Sequence, residues 1–182
     1  MKELFVLSLI LFPILGLSKA DAQTKSVQVV PSVDLSRYSG KWYEIARLPN
    51  RFQKDCIGEV TATYSLVGER QLKVVNECRK QGGIERSEGE ARIRSKDGAN
   101  SKLKVRFAPS WLGWLPFVWG DYWIIELAPD YSYSVVGTPD RKYLWVLSRA
   151  AEMEEGTYKR LIEKAAAEGF DVSKLIKTRQ SL

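Results

Sequence analysis

The sequence predicts an all-β protein: an eight-stranded up-and-down antiparallel β-barrel with one C-terminal α-helix packed on its outside. Between residues 41 and 149, short segments of alternating apolar and polar residues are separated by turn-forming residues, the pattern of an antiparallel sheet with one buried face. After Arg149 the apolar spacing changes to three and four residues, which is typical of an amphipathic helix. A length of 182 residues suits one such domain.

The first 22 residues have the pattern of a secretory signal peptide. An apolar run at 4–17 follows Lys2 and is too short to span a bilayer comfortably. The small residues Ala20 and Ala22 then offer cleavage sites, and we expect cleavage after Ala22, with cleavage after Ala20 as the alternative. We therefore expect residues 1–22 to be removed and residues 23–182 to form the barrel domain; an uncleaved N-terminal anchor is the other interpretation.

Export would place the two cysteines, Cys56 and Cys78, in an oxidising compartment, which favours a disulfide. A hairpin centred on Gly68 and Glu69 puts them a diagonal step apart, so the bond requires a bulge or a loop adjustment. The alternative is a reactive thiol inside the barrel. No cysteine directly follows the apolar run, so we expect no N-terminal lipid anchor.

The charge and the missing histidine narrow the function. The formal charge is +6, but basic and acidic residues are mixed, so we expect a solvated surface and no nucleic-acid partner. The chain has no histidine, which removes the commonest general base and metal ligand. We therefore expect no enzyme activity, no cofactor and no metal site.

Eight segments qualify as strands, and eight up-and-down strands can close without leaving an exposed edge. Because each strand reverses direction, the longer loops at 49–56, 80–82, 108–120 and 138–141 should share one open end. The tight turns near 68, 98 and 129 should share the closed base. The predicted strands are 42–47, 57–66, 72–79, 83–94, 102–107, 121–127, 132–137 and 142–149.

One helix is predicted after the last strand. Tyr158, Leu161, Ile162 and Ala165 recur at helical spacing, and Gly169 is a natural terminator. The polar face of this helix is not especially basic, so we expect the apolar face to pack on the barrel rather than on a membrane. The tail at 170–182 should run back over the barrel surface.

Two segments resemble motifs of a known family. Gly40 and Trp42 form a Gly-x-Trp motif similar to that of the lipocalin first strand, and segment 143–149, ending in Arg149, resembles the lipocalin last-strand motif. Segment 129–133 resembles a shortened middle motif. With Gly-Phe-Asp-Val-Ser at 169–173, the similarity is closest to the bacterial outer-membrane lipocalins, and it covers about residues 31–180.

The resemblance implies a carrier of fatty acid, lysophospholipid or a similar apolar ligand, used for lipid storage or transport in the cell envelope. It implies a periplasmic location, peripheral to the outer membrane at most, because the lipidated cysteine of the best-known members is missing here. Two alternatives remain. One is a lipocalin-fold enzyme acting on an apolar substrate through Cys56, Cys78, Glu44 or Tyr122, and the other is a pigment or haem binder.

The two ends of the resemblance should meet at the closed base of the barrel, since strand one begins there and strand eight ends there. The Arg149 guanidinium could then stack on the Trp42 indole, contributing on the order of 1 kcal/mol beyond packing. For Trp42 the alternative is an ordinary core aromatic. On either interpretation Gly40, Trp42 and Arg149 are structural.

Side chains alternate across a barrel wall, so fixing one residue on a strand fixes its neighbours. Trp42 places Glu44 and Ala46 inward; apolar parity fixes strands two to five, and the resemblance favours Tyr122 and Ile124 on strand six. Several inward positions are small, which favours a cavity over the alternative of a solid core. The predicted ligand-contacting residues are Ala46, Ala62, Tyr64, Val74, Asn76, Ala91, Val105, Phe107, Tyr122, Ile124, Val135 and Trp145.

The loop of residues 111–119 carries three tryptophans, Trp111, Trp114 and Trp119, at the predicted open rim. It could be a lid over the cavity, a wedge in peripheral contact with a membrane, or a segment buried against the rim. Dimerisation through the same surface would make the protein a homodimer rather than a monomer. The nearby cations Arg47, Arg51, Lys54 and Arg141 could meet a lipid headgroup or simply be solvated.

Overall fold

The computed structural model describes residues 25–93 and 99–180, which form a closed antiparallel β-barrel with a helix on its outside. The predicted signal peptide at 1–22 lies outside the described residues. Each strand pairs with the next along the chain, and β1 pairs with both β8 and β2. The elements are α1 (Leu35–Tyr38), β1 (Gly40–Arg47), β2 (Gly58–Gly68), β3 (Gln71–Lys80), β4 (Gly83–Ile93), β5 (Lys102–Arg106), β6 (Gly120–Leu127), β7 (Tyr133–Gly137), β8 (Leu144–Ser148), α2 (Glu155–Ala167) and β9 (Ile176–Lys177).

The predicted eight-stranded barrel and single outer helix are therefore confirmed. The strand ends differ from the predicted ones by no more than two residues. The short helix α1 and the two-residue strand β9 were not predicted. No helix within residues 25–93 and 99–180 combines the length and the apolar character needed to cross a bilayer.

The apolar side chains form two separate clusters, one on each side of the barrel wall. Alternation in the strands sends one set of residues inward and the other set under α2. The inner cluster contains Trp42, Tyr64, Leu72, Val74, Ala91, Ile93, Leu103, Tyr122, Ile124, Val136 and Leu147, together with Val33, Leu35 and Tyr38. The outer cluster contains Val27, Ala46, Leu48, Ile125, Val135, Leu144, Val146, Leu161, Ala165 and Phe170.

Helix α2 begins and ends where its sequence predicts. The carboxylate of Glu154 accepts hydrogen bonds from the backbone N–H groups of Gly156 and Thr157, which caps the first turn. Leu161 and Ala165 are fully buried against the outer face of the barrel. Gly169 follows the helix at φ +88°, a conformation that favours glycine at a helix end.

Cys56 and Cys78 form the predicted disulfide, with a Cα–Cα distance of 5.7 Å. The predicted bulge is also present: the register between β2 and β3 shifts between Gly58 and Thr61. Glu59, inside this bulge, has φ +49°. The alternative of a reactive thiol at Cys56 or Cys78 is wrong, because the extra residue in β2 brings the two sulfur atoms together.

Candidate ligand-binding site

The closed base of the barrel is a packed plug built around Trp42. Helix α1 lies beneath it, and the Trp42 Nε1–H donates to the carbonyl oxygen of Tyr38 at 2.8 Å. The Arg149 guanidinium carbon lies 3.9 Å from the centre of the Trp42 ring, as predicted. A Cβ at Gly40 would lie 3.0 Å from Arg149 Nη1, and Gly40 has φ +99°, so this position favours glycine on both counts.

Arg149 also satisfies the backbone where the chain enters the barrel. Its Nη2 donates to the carbonyl oxygens of Arg37, Tyr38 and Ser39 at 2.8, 3.1 and 2.8 Å. Its Nη1 donates to the carbonyl oxygen of Lys41 at 2.9 Å. One side chain therefore fastens α1 and the start of β1 to the end of β8.

Three tyrosines form a polar cluster inside the lower barrel. The Tyr122 hydroxyl lies 2.8 Å from the hydroxyls of both Tyr38 and Tyr64, and the Tyr38 hydroxyl donates to Ser134 Oγ at 3.4 Å. Burial raises the pKa of all three phenols above the ordinary value. The lower barrel therefore presents neutral hydroxyl groups and no charge from these tyrosines at physiological pH.

Above this floor, some inward-facing side chains remain partly accessible. Ala62, Val105 and Trp145 are half-buried and pack against the inner cluster. Asn76 is half-buried beside Ala62, its partner in the β2–β3 register. Phe107 is 43 % exposed. Val105, Phe107 and Trp145 lie near the mouth, where a bound molecule could touch them, whereas Ala62 and Asn76 lie lower, level with Trp42.

Five other predicted residues lie deeper. Tyr64, Val74, Ala91, Tyr122 and Ile124 are all buried in the inner cluster. Their inward orientation agrees with the alternation of the strands. They form the floor and the lower wall beneath the accessible surface.

The predicted inward orientation is wrong for Ala46 and Val135, which are buried in the outer cluster under α2. In β1 the register shifts between Glu44 and Ala46, so Glu44 pairs with Leu147 and Ala46 pairs with Val146. This bulge adds one residue and reverses the alternation beyond it, which turns Ala46 outward. In β7 the alternation is unbroken, but Val135 and Val136 are both buried, and it is Val136 that faces inward.

The same bulge in β1 turns Arg47 into the barrel rather than toward solvent. Arg47 Nη1 lies 2.8 Å from Glu44 Oε1, and the two side chains are 8 % and 3 % exposed. The alternative of a solvated cation is therefore wrong for Arg47, which lies at the mouth and is paired with Glu44. Arg141 is also engaged, since its Nε donates to the carbonyl oxygen of Glu168 at 2.6 Å, whereas Arg51 and Lys54 are exposed.

Gln53 joins this ion pair to the wall, and sequence reasoning missed it. Its side-chain amide donates to Glu44 Oε2. Its oxygen accepts from Trp145 Nε1 at 2.9 Å and from Asn50 Nδ2 at 2.8 Å. The loop between β1 and β2 is thus fixed to the barrel mouth by a polar network that contains Glu44, Arg47 and Trp145.

The loop at 111–119, called here the aromatic loop, presents three of its rings to solvent. Trp111, Trp114 and Phe117 are 72 %, 78 % and 79 % exposed, so the alternative of a loop buried against the rim is wrong for them. Trp119 is buried, and its Nε1 donates to the carbonyl oxygen of Gly113 at 2.8 Å.

Arg106 anchors this loop to the outside of the barrel. Its Nη1 donates to the carbonyl oxygen of Pro109 at 2.7 Å, and its guanidinium carbon lies 5.2 Å from the Trp119 ring centre. Arg106 also pairs with Glu90, its cross-strand neighbour on β4, at 2.6 Å. Because Arg106 and Glu90 lie on the outer face of the wall, the loop is fastened beside the mouth rather than across it.

Comparison with known proteins agrees with this geometry. The family model of the lipocalin-like domain matches residues 33–180. Temperature-induced lipocalin-1 of Arabidopsis thaliana is 45 % identical over 160 residues, which cover 87 % of this chain and 86 % of that protein. Outer membrane lipoprotein Blc of Escherichia coli K12 is 39 % identical over 158 residues, covering 86 % and 84 %.

Among solved structures, insecticyanin of the tobacco hornworm Manduca sexta superposes with a TM-score of 0.65 at 24 % identity, covering 86 % of each chain. That likeness supports the fold alone. The family model and the relatives at 39 % and 45 % identity carry the assignment further. With the Gly40–Trp42–Arg149 base in place and the barrel closed above it, the chain belongs to the lipocalin family.

Proposed function

We propose that this protein carries a single-chain lipid, such as a fatty acid or a lysophospholipid, with the acyl chain in the upper barrel and the headgroup at the open end. The observation that carries the proposal is a difference in burial between the floor of the barrel and the wall nearer its mouth. Tyr64, Val74 and Ile124 are buried, whereas Val105 and Trp145, which lie nearer the mouth, are only partly buried and pack against the inner cluster. An apolar wall between polar groups at the floor and polar groups at the mouth suits such a ligand.

The residues available for chemistry favour carriage over catalysis. Cys56 and Cys78 are bonded to each other. Glu44 is held by Arg47, and burial raises the pKa of Tyr122 well above its ordinary value. The groups that an enzyme on this barrel would use are thus engaged in the structure or kept neutral, which supports a non-enzymatic role.

Replacing Trp145 by alanine tests the carrier proposal. Removing a half-buried indole from the inner wall should weaken binding of a fluorescent fatty acid by about tenfold, because apolar contact area is lost. Fluorescence titration of the purified protein measures the affinity. The control is Trp123→Ala, the same truncation in the outer cluster. The proposal fails if both variants bind as tightly as the wild type, or if the wild type shows no saturable binding.

We also infer that the protein is exported to the cell envelope and contacts a membrane through Trp111, Trp114 and Phe117. Tryptophan is favoured at the bilayer interface, and three adjacent exposed aromatic rings form the kind of apolar patch that marks an interaction site. Arg106 fastens the start of this loop through the carbonyl oxygen of Pro109, which lowers the entropy cost of placing the rings on a membrane. The Escherichia coli relative, Blc, is an outer membrane lipoprotein.

A triple variant, Trp111→Ser, Trp114→Ser and Phe117→Ser, tests the membrane contact. Loss of three interfacial aromatic side chains should reduce co-sedimentation with phosphatidylglycerol-containing vesicles by at least about 30-fold. The control is Leu66→Ser with Val67→Ser, which removes exposed apolar side chains at the opposite end of the barrel. Undiminished vesicle binding by the triple variant would rule this surface out, and a dimer in sedimentation velocity that the triple variant loses would assign it to self-association.

A further inference from the structure

The barrel wall has a seam between β1 and β2. The two strands pair directly only at the closed end, where Gly40 to Tyr43 face Tyr64 to Thr61. Nearer the mouth, β1 and β2 each contain a bulge, at 44–46 and at 58–61. Beyond these bulges no register between the two strands is formed.

The C-terminal residues 176–180 fill this seam as a short additional strand segment, which we call the stave. On the β1 side, Ala46 pairs with Lys177, and the Thr178 N–H donates to the carbonyl oxygen of Ile45 at 2.9 Å. On the β2 side, the Glu59 N–H donates to the carbonyl oxygen of Arg179 at 2.7 Å. The tail thus replaces the backbone hydrogen bonds that β1 and β2 do not make with each other.

The side chain of Gln180 bridges the two strands directly. Its amide nitrogen donates to the carbonyl oxygen of Glu44 on β1 at 2.6 Å and to that of Val60 on β2 at 2.9 Å. Thr178 faces the interior, where its hydroxyl donates to Glu44 Oε1 and accepts from Arg47 Nη1 at 3.2 Å. Residues 176–180 are therefore part of the inner wall, beside the accessible surface of the barrel.

The stave is held by polar contacts rather than by buried apolar side chains. Ile176 is 43 % exposed, and Lys177 and Arg179 are exposed. On its outer side the stave borders a groove of about 350 Å³, which is lined by Ile45, Met153 and Tyr158 among others. The apolar anchor of the tail lies earlier, at Phe170, which is buried in the outer cluster. A segment with little buried apolar area can open locally at a lower cost in free energy than unfolding of the whole barrel.

We propose that residues 176–180 are a removable stave, and that their detachment opens a lateral slot through which a lipid chain enters and leaves the barrel. The inference rests on the proposed carrier function. The slot would run from the mouth down to the last β1–β2 pair, between Tyr43 and Thr61. Phe170 and helix α2 stay in place during this opening, so the core is not disturbed.

Two variants with opposite effects test the proposal. Truncation after Leu175 should raise both the association and the dissociation rate constants of a fluorescent fatty acid by at least about tenfold, measured by stopped-flow fluorescence, because a gating step is removed. The affinity should change much less than the rates. The control is Lys174→Ala, which removes an exposed ion pair with Asp171 just outside the stave.

The second variant, Ala46→Cys with Lys177→Cys, staples the stave to its cross-strand partner, since residues paired across antiparallel strands lie within disulfide range. In the oxidised variant both rate constants should fall at least about tenfold, and reduction should restore them. The wild type treated with the same reductant controls for reduction of the Cys56–Cys78 bond.

The proposal is overturned if the stapled variant exchanges ligand at the wild-type rate, and this result decides the matter even if the truncated chain does not fold. A folded truncated protein whose association and dissociation rate constants equal those of the wild type would also overturn it. A wild type that binds no fatty acid would instead overturn the carrier function, so the two failures are distinguishable.

Discussion

Replacing Ala62 by tryptophan is expected to reduce the affinity for a fluorescent fatty acid by at least about 100-fold, or about 3 kcal/mol, while the barrel stays folded. Ala62 faces inward between its register partners Trp42 and Asn76, and it is half-buried. An indole at this position would project into the space that the acyl chain is proposed to occupy. Because Ala62 is only half-buried although it lies beside Trp42, we expect the barrel to accommodate the larger side chain and stay folded.

Thr63→Trp is the matched control for this prediction. Thr63 is the next residue on β2, half-buried on the outer face of the wall. The same substitution there should leave the affinity within about twofold of the wild type, because it adds no volume to the interior. If Ala62→Trp bound fatty acid as well as Thr63→Trp does, the ligand would not occupy the barrel interior.

Replacing Arg149 by alanine is expected to lower the free energy of unfolding by about 3 kcal/mol, because several backbone carbonyl groups lose a charged donor at once. The carbonyl oxygens of Arg37, Tyr38, Ser39 and Lys41 all accept from this guanidinium. The stacking on Trp42 is lost as well. Urea unfolding followed by tryptophan fluorescence measures the change.

Arg149→Lys separates geometry from charge. A lysine ammonium keeps the positive charge but cannot span the carbonyl groups that the planar guanidinium reaches, so it should recover less than half of the lost stability. Full recovery by lysine would show that charge alone holds the base together. A loss of under about 1 kcal/mol in Arg149→Ala would contradict the structural role assigned to this residue.

The fold was predictable because its pattern is local and repeated. Alternating residues in eight segments, turn residues between them and the helical spacing of Leu161 and Ala165 each specify one element. The meeting of Trp42 and Arg149 followed from the direction of the strands. Helix α1 was missed because four residues, Leu35–Tyr38, carry too short a pattern to stand out from a loop.

The site was predictable where the alternation is unbroken and only one face of the strand is apolar. Ala62, Asn76 and Val105 face inward as predicted, whereas Ala46 lies beyond a bulge and faces outward. Val135 was placed on the wrong face because β7 is buried on both faces, with Val136 inward and Val135 outward. A bulge leaves no mark in apolar periodicity until the partner strand is known.

The charged network at the mouth depends on contacts that are distant in sequence. Glu44 meets Thr178 across more than a hundred residues, and no local pattern places the tail in the wall. The apolar residues at 111–119 marked the aromatic loop as unusual in the sequence. They did not show that its rings are exposed, because the position of the loop depends on its contact with the buried Arg106.

Native mass spectrometry of protein purified without detergent tests the central claim most directly. If the upper barrel holds a single-chain lipid, a fraction of the protein should carry one extra mass that is released on collisional activation and that lipid extraction identifies as a fatty acid or a lysophospholipid. Protein that carries no such mass, even after incubation with excess lysophospholipid, would contradict the lipid-carrier account.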